Sequence, residues 1–466
     1  MENHSFDNLL GYCPNVGELS KLPKFSNEIL NNQKEIEKVF NANGSSFCIS
    51  PDPAHEFEDM TEQIFGHGSF HENMKGFAQN YLKVGNRSTN DPKNVMHSYS
   101  PQQVPIICSL AQSFTTLDQF FCSFPGPTGV NRLFLHQASS CSFGGQRNHT
   151  CLVNFNPYGT SFPVFSRTIY DDLIDEGFTF ETHFHDFTTL HGIEPFASNH
   201  SQTFIHDLGF KQFFHQLNNN TIADLTLLVP QVFPTNDFKY PNSQHPVYDI
   251  RNGEQLIKDV YESLRASLYW EQTLLVLTYD ESGGFWDHVA PPHNVVSPCS
   301  TCMEPSGFSF ERLGPRVPTI LISPYSPAIV NSTQGETASI DGMVRRIFDL
   351  SSPPLTPRSA AANTFVEALT LSKPRENTPN KLPEVSWRDA PPHCSYKDKK
   401  GGHWPGLGEE NLLMYSELLQ YHYGVDEETI YDWIGFDPST VSQHPKAHGD
   451  YQIGQWLHKA ITLLHL

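Results

Sequence analysis

The sequence predicts an α/β fold with a largely parallel sheet covered by helices on both faces. Three observations carry this. Short, uninterrupted apolar runs recur at 225–230 (LTLLVP), 273–279 (TLLVLTY) and 318–323 (PTILIS), and runs of that length suit strands buried on both faces. The segment 254–268 puts Ile257, Val260, Tyr261, Leu264 and Leu268 on one helical face. It leads directly into the second run, and helix followed by all-apolar strand is the pattern of a helix-covered parallel sheet.

The other elements follow in chain order. Residues 105–121 space Ile106, Ile107, Leu110, Ala111, Phe114 and Leu117 helically, which predicts one helix over the stretch. Pro230 ends the first strand. Residues 289–317 and 351–407 are rich in Pro, Ser and Gly and read as loops. Helical spacing returns at 408–423 through Leu412, Leu413, Tyr415, Leu418 and Leu419. The expected organisation is a catalytic domain over 1–380, a linker over 381–407 and a C-terminal helical appendage over 408–466.

Composition bounds the function. The 466 residues carry 30 Lys+Arg against 51 Asp+Glu, a net charge of −21. That balance excludes a nucleic-acid surface and a polybasic membrane anchor. No run approaches the ~18 to 20 apolar residues of a transmembrane segment. Nine Cys are present, and Cys299 and Cys302 form a lone CxxC, read as a local disulfide or two free thiols rather than half a zinc site. Sequons at Asn43, Asn86, Asn148, Asn199, Asn219 and Asn331 lean towards a secretory context. The start Met1-Glu2-Asn3 carries no basic-then-apolar leader. The expected location is therefore secreted or endomembrane lumen if residues precede Met1, and cytoplasmic if Met1 is the true start.

Chemistry concentrates where strands end, because ligands of open α/β sheets bind beyond the carboxyl ends of strands. After the run 273–279 come Asp280-Glu281-Ser282-Gly283-Gly284-Phe285-Trp286-Asp287-His288. Adjacent carboxylates converge only where the chain turns, and Gly283-Gly284 permits a turn. Such a pair suits a hard cation or a solvated acidic turn. Glu2 and Asn3 offer two more oxygen ligands. Thr128 lies in a Pro/Gly turn, Pro125-Gly126-Pro127-Thr128-Gly129-Val130-Asn131-Arg132, just before a helix-like segment. A hydroxyl there can cap the helix or, beside a cation, attack phosphorus. Among 23 His, His55, His245, His288 and the pair His183 and His185 stand in distinctive contexts as possible general acids or phosphate partners.

These segments together resemble the phosphoesterase family of phosphatidylcholine-type phospholipases C, which also contains bacterial acid phosphatases. Glu2-Asn3-His4-Ser5-Phe6-Asp7 is similar to the family's ENxSFD motif. Asp52-Pro53 with His55, Pro-Gly-Pro-Thr-x-x-Asn-Arg at 125–132, the motif at 278–289 and Gly-x-Arg-Val-Pro at 314–318 follow in the family's order. The resemblance is closest to the plant non-specific enzymes and runs to about residue 350. It implies an alkaline-phosphatase-like three-layer α/β/α sandwich, with the first strand missing before the ENxSFD segment. It implies one divalent metal ion, of unknown identity, at Glu2, Asn3, Asp280 and Glu281. Thr128 becomes the nucleophile, with His55, His245, Asn131 and His288 around the phosphate. Ser282 stands where plant members usually carry His.

The expected activity is a phospholipase C that acts on a glycerophospholipid through a phosphothreonine. Two alternatives follow: an acid phosphatase acting on soluble phosphomonoesters, or an inactive, N-terminally truncated homologue whose Glu2 and Asn3 fray.

Overall fold

The computed structural model describes residues 1–387, apart from 31–34, 67–68, 85–89, 144–150, 153–163, 187, 233–239 and 303–307. The appendage expected over 408–466, and most of the linker before it, lie outside the described residues.

The elements that position the site are named in chain order. Helix α1 is Phe6–Leu10. Helix α2 is Pro105–Ser113, followed at once by strand β1, Thr115–Leu117. Helix α3 is Thr128–Gln137. Strands β2 (Phe180–Phe184), β3 (Phe204–His206) and β4 (Leu225–Val229) come next. Helix α4 is Ile250–Ala266, and β5 is Leu275–Thr278. Strands β6 (Thr319–Ile322) and β7 (Val330–Asn331) precede helix α5, Ser339–Ile347.

Two groups of strands make the central layer. In one, β2 lies between β3 and β4, and all pairings are parallel. In the other the order is β5–β6–β1–β7. There β6 runs antiparallel to both β5 and β1, while β7 is parallel to β1. The chain is thus α/β as expected, with one correction: the apolar run at 318–323 enters against its neighbours. Among the described residues joining β5 to β6 there is no crossover helix, and parallel neighbours need such a crossover.

A second correction concerns residues 105–121. The helix stops at Ser113, because Phe114 turns to extended geometry (φ −132°) and Thr115 and Thr116 join the sheet. β-branched residues fit a pleated surface better than a helix. Both Thr are fully buried, and Thr116 Oγ1 donates to Ala111 O at 2.9 Å, which ties the strand to the helix.

One core gathers α1, α2, β1, β5 and β6, with Phe6, Ile107, Phe114, Ile320 and Leu321 almost wholly buried. Helix α4 docks there with an unusual device. Glu254 is buried, and its carboxylate accepts the free N–H groups of Ile106 (2.6 Å) and Ile107 (3.3 Å) at the start of α2. Burial pushes its pKa up to about 8, although those two bonds pull it back. The folded state therefore holds a proton between the ordinary value of 4.5 and about 8, where the unfolded chain has lost it. Stability attached to this group is full below the unfolded pKa and falls as pH rises through that window. We expect Glu254→Gln to remove that part of the pH dependence. The thermal midpoint of the variant minus that of the parent should climb from pH 5 to pH 8. A difference that stays flat would show that Glu254 is ionised in the fold.

Candidate active site

Thr128 is the first residue of α3. The cap residue is Pro127 and no side chain caps the helix, so the Thr hydroxyl is free for other partners. Its Oγ1 lies 3.2 Å from Asn3 Oδ1 and 3.4 Å from Glu2 Oε2. The first turn of a helix also presents N–H groups without intrahelical acceptors, which favours an anion beside the hydroxyl.

Asn3 is the centre of the cluster. It takes a left-handed backbone conformation (φ 54°), and its N–H donates to Asp280 Oδ1 at 3.0 Å. While Oδ1 faces Thr128, its amide nitrogen lies 2.9 Å from His245 Nε2 and 3.3 Å from His55 Nε2. Each imidazole points Nδ1 at a backbone carbonyl, Pro53 O for His55 and Pro246 O for His245. A carbonyl only accepts, so Nδ1 carries the hydrogen and Nε2 faces Asn3 with a lone pair. Burial lowers both pKa values, that of His245 to about 3, and the proximity of His55 lowers His245 further. Two neutral imidazoles therefore stand beside the Asn3 amide nitrogen.

Gly283 explains how Asn3 approaches so closely. Its φ is +63°, and a Cβ there would meet Asn3 O at 2.2 Å. The turn that brings Asp280 and Glu281 together thus requires glycine for space as well as conformation.

The oxygen donors expected around a metal are arranged as follows. Glu2 and Asp280 both meet Arg132, with Asp280 Oδ2 3.4 Å from its Nε. Glu281 Oε2 accepts the Gly283 N–H at 2.6 Å. Its other oxygen, Oε1, is buried with no hydrogen-bond partner and lies 3.9 Å from His55 Nε2. Burial, reinforced by the Asp280 charge, pushes the Glu281 pKa well above the carboxylate range. An orphaned, buried carboxylate oxygen suits a hard divalent cation, but among the described residues Glu2, Asp280 and Glu281 are not a set whose ligand atoms all lie within 4.8 Å of one another. Asp52, His55 and His245 do bring one ligand atom each within 4.8 Å of one another.

Glu2 and Asn3 do not fray. They are 1% and 0% exposed. The Met1 ammonium donates to Thr278 O at 3.1 Å, Glu2 N–H to Ser243 O at 2.9 Å, and Asp280 N–H to Met1 O at 3.2 Å. Backbone bonds to two different segments hold the ligand-bearing residues in place.

Asn131 does different work from a phosphate contact. It is fully buried. Its amide accepts the Phe124 N–H (2.9 Å) and donates to Phe124 O (3.0 Å) and Gly126 O (2.9 Å). It braces the Pro-Gly-Pro turn that sets Thr128.

His288 lies in a separate network. Its Nδ1 pairs with Asp7 (2.6 Å) and its Nε2 with Glu18 (2.9 Å). Burial lowers its pKa, but Asp7 more than reverses this and leaves it raised. Arg316 is buried between Asp7 (3.0 Å) and Asp287 (2.9 Å), with its guanidinium 4.6 Å from the centre of the Phe6 ring. Asp7, Asp287, His288 and Arg316 thus tie three distant sequence motifs into one scaffold. Removing the cation leaves buried Asp287 without its ionic partner and Asp7 with only His288. We expect Arg316→Leu to cost roughly 3–5 kcal/mol by denaturant unfolding. A loss below about 1 kcal/mol would mean the network is dispensable.

His183 is likewise placed among carboxylates, Glu181 at 3.2 Å on β2 and Asp207 at 2.9 Å just beyond β3, and His185 follows just past β2. Ser282 is buried with its Oγ 3.6 Å from Met60 Sδ. Arg132 is the site residue that sequence reasoning passed over. It stood in the quoted Asn-Arg pair, one helical turn after Thr128, and that spacing alone puts it on the same face.

Three disulfides are present among the described residues: Cys13–Cys108, Cys141–Cys151 and Cys299–Cys302. The CxxC is therefore a local disulfide, the first of the two readings given above. Cys48 is disulfide-bonded as well, while Cys122 is a buried free thiol.

Residues 1–351 match the Phosphoesterase family. Non-specific phospholipase C6 of Arabidopsis thaliana is 34% identical over 406 residues, which cover 83% of this chain and 74% of that protein. Non-specific phospholipase C1 of the same plant is 32% identical, covering 83% and 72%. Among solved structures, a protein of the alkaline phosphatase superfamily from Vibrio parahaemolyticus is similar with a TM-score of 0.37 and 10% identity, covering 57% of this chain and 65% of that one.

Proposed function

This chain belongs to the phosphoesterase family, and from that premise we propose that it is a phospholipase C acting on a phosphatidylcholine-like glycerophospholipid. The observation that carries the reading is Thr128 Oγ1 at a helix start, 3.2 and 3.4 Å from the oxygens of Asn3 and Glu2. The hydroxyl gives up its proton to the Glu2 carboxylate it faces and bonds to phosphorus. The glycerol oxygen is displaced, takes up a proton and leaves as diacylglycerol. Water then cleaves the phosphothreonine, which releases the phosphorylated headgroup. His55 and His245, neutral and aimed at Asn3, keep its Oδ1 turned towards Thr128. A divalent cation held by Glu2, Asn3, Asp280 and Glu281 would supply Lewis-acid stabilisation of the phosphoryl oxygens.

The disulfides support an oxidising compartment, such as the secretory lumen or the cell exterior. Among the described residues no helix is long and apolar enough to cross a membrane.

The test is diacylglycerol release from phosphatidylcholine vesicles with a divalent cation present. Release is the expected result. Turnover of p-nitrophenyl phosphate without diacylglycerol release would transfer the same site to phosphomonoesters.

A further inference from the structure

The CxxC at 299–302 has a neighbour in space that its sequence context hides. Cys302 Sγ lies 3.3 Å from Cys141 Sγ, across 161 sequence positions. The sulphurs of Cys141, Cys151 and Cys302 all lie within 4.8 Å of one another. The two disulfides Cys141–Cys151 and Cys299–Cys302 therefore meet sulphur to sulphur. Each of the four sulphurs already bonds to another, and a soft metal ion needs thiolates, so the cluster is built for exchange between disulfides rather than for a metal.

Access to the four is unequal. Cys141, Cys151 and Cys302 are buried, whereas Cys299 is half-buried. Exchange needs a thiolate that reaches one sulphur of a bond and displaces the other. A reductant from solvent therefore enters at Cys299, and Cys302 is the sulphur it expels. That thiolate emerges in contact with Cys141, in one buried cluster with Phe124, Phe134 and Phe310. Loss of the bond to Cys299 also frees Cys302 to turn about χ1 and line up behind the Cys141–Cys151 bond.

We propose that these four cysteines form a disulfide relay, which takes a dithiol reductant at Cys299 and delivers a Cys141–Cys302 cross-link. A thiolate of the dithiol bonds to Cys299 Sγ, and the Cys299–Cys302 bond breaks. The Cys302 thiolate bonds to Cys141 Sγ, and the Cys141–Cys151 bond breaks. The Cys151 thiolate takes up one proton shed by the reductant. The second thiol of the reductant closes on its own partner sulphur and releases Cys299, which takes the other proton. Two disulfides become one disulfide and two thiols, and the dithiol becomes an internal disulfide, so two electrons and two protons balance. The new bond ties the chain just after α3, the helix that begins at Thr128, to the segment between β5 and β6. The inference is independent of the substrate.

The fold is what permits this product. In an unfolded chain short loops close more easily than long ones. Pairs 3 and 10 positions apart would there prevail over a pair 161 apart.

The test treats the folded full chain with one equivalent of dithiothreitol, traps free thiols with N-ethylmaleimide in acid, and maps the cysteines by peptide mass spectrometry. A peptide pair joined through Cys141 and Cys302 should appear, with Cys151 and Cys299 alkylated and Cys13–Cys108 intact. In Cys302→Ser the link cannot form, and release of the Cys151 thiol should slow by at least about tenfold. In Cys299→Ser, Cys302 lacks its partner from the start, and the Cys141–Cys302 peptide should appear without reductant. An unmodified Cys151 in the treated parent, or a Cys151 thiol without the Cys141–Cys302 peptide, would overturn the proposal. So would a Cys141–Cys302 yield as high in denaturant as in the folded chain, which would mark the link as random exchange.

Discussion

Thr128→Ala should lower diacylglycerol release by at least ~10³-fold while leaving the fold unchanged. The size follows from what is removed. Without the hydroxyl no covalent phosphothreonine forms, and the remaining groups can only polarise a substrate that nothing attacks. The fold should tolerate the change because Thr128 caps nothing: Pro127 is the cap residue and no side chain closes the helix start. Alanine is also a strong helix former. The Thr side chain loses only its two weak bonds, at 3.2 and 3.4 Å. The thermal midpoint should therefore stay within ~2 °C of the parent. Acid quenching during turnover, followed by mass spectrometry, should find phosphate on Thr128 in the parent and none in the variant. Thr128→Ser keeps the hydroxyl and should restore the adduct. A variant that retains a tenth of the parent rate would place the nucleophile elsewhere.

The residues themselves left Thr128, in a rigid turn before a helix, open between a helix cap and a nucleophile, and they set the acidic turn at 280–281 after an apolar strand. Their meeting was not legible. Asn3 and Asp280 are separated by 277 positions, yet one N–H···O bond joins them. Periodicity carries no information about such a contact, and only the matching motif order tied the pieces together. Strand direction was also hidden. The run PTILIS is equally apolar whichever way it enters, and the informative signal was the lack of a helical pattern over 289–317. Roles within motifs were the least readable. Asn131 and Thr128 lie three residues apart, but the Asn side chain turns back to the carbonyls of its own loop while the Thr faces the site. His288 and Asp287 sit in the same motif as Asp280 and Glu281 and serve the Arg316 scaffold instead.

Glu281→Gln should separate the cation from the rest of the machinery. Glu281 is fully buried, one of its oxygens accepts the Gly283 N–H, and the other has no hydrogen-bond partner. An arrangement of that kind costs stability unless something positive meets the free oxygen. Arg132 already engages Glu2 and Asp280, so it leaves the Glu281 oxygen to another partner. Glutamine preserves the shape and can still accept the Gly283 N–H through its carbonyl, but it removes the charge. Without added cation the variant should be at least as stable as the parent, because a poorly satisfied buried carboxyl is gone. With cation the order should reverse. Anything that binds only the folded state raises its midpoint with concentration, so the parent midpoint should climb as divalent cation is titrated and that of the variant should stay nearly flat. Diacylglycerol release should fall by at least ~10²-fold in the same variant. If the variant midpoint climbs in parallel with the parent, the cation does not touch Glu281, and Asp52, His55 and His245 become the set to mutate next.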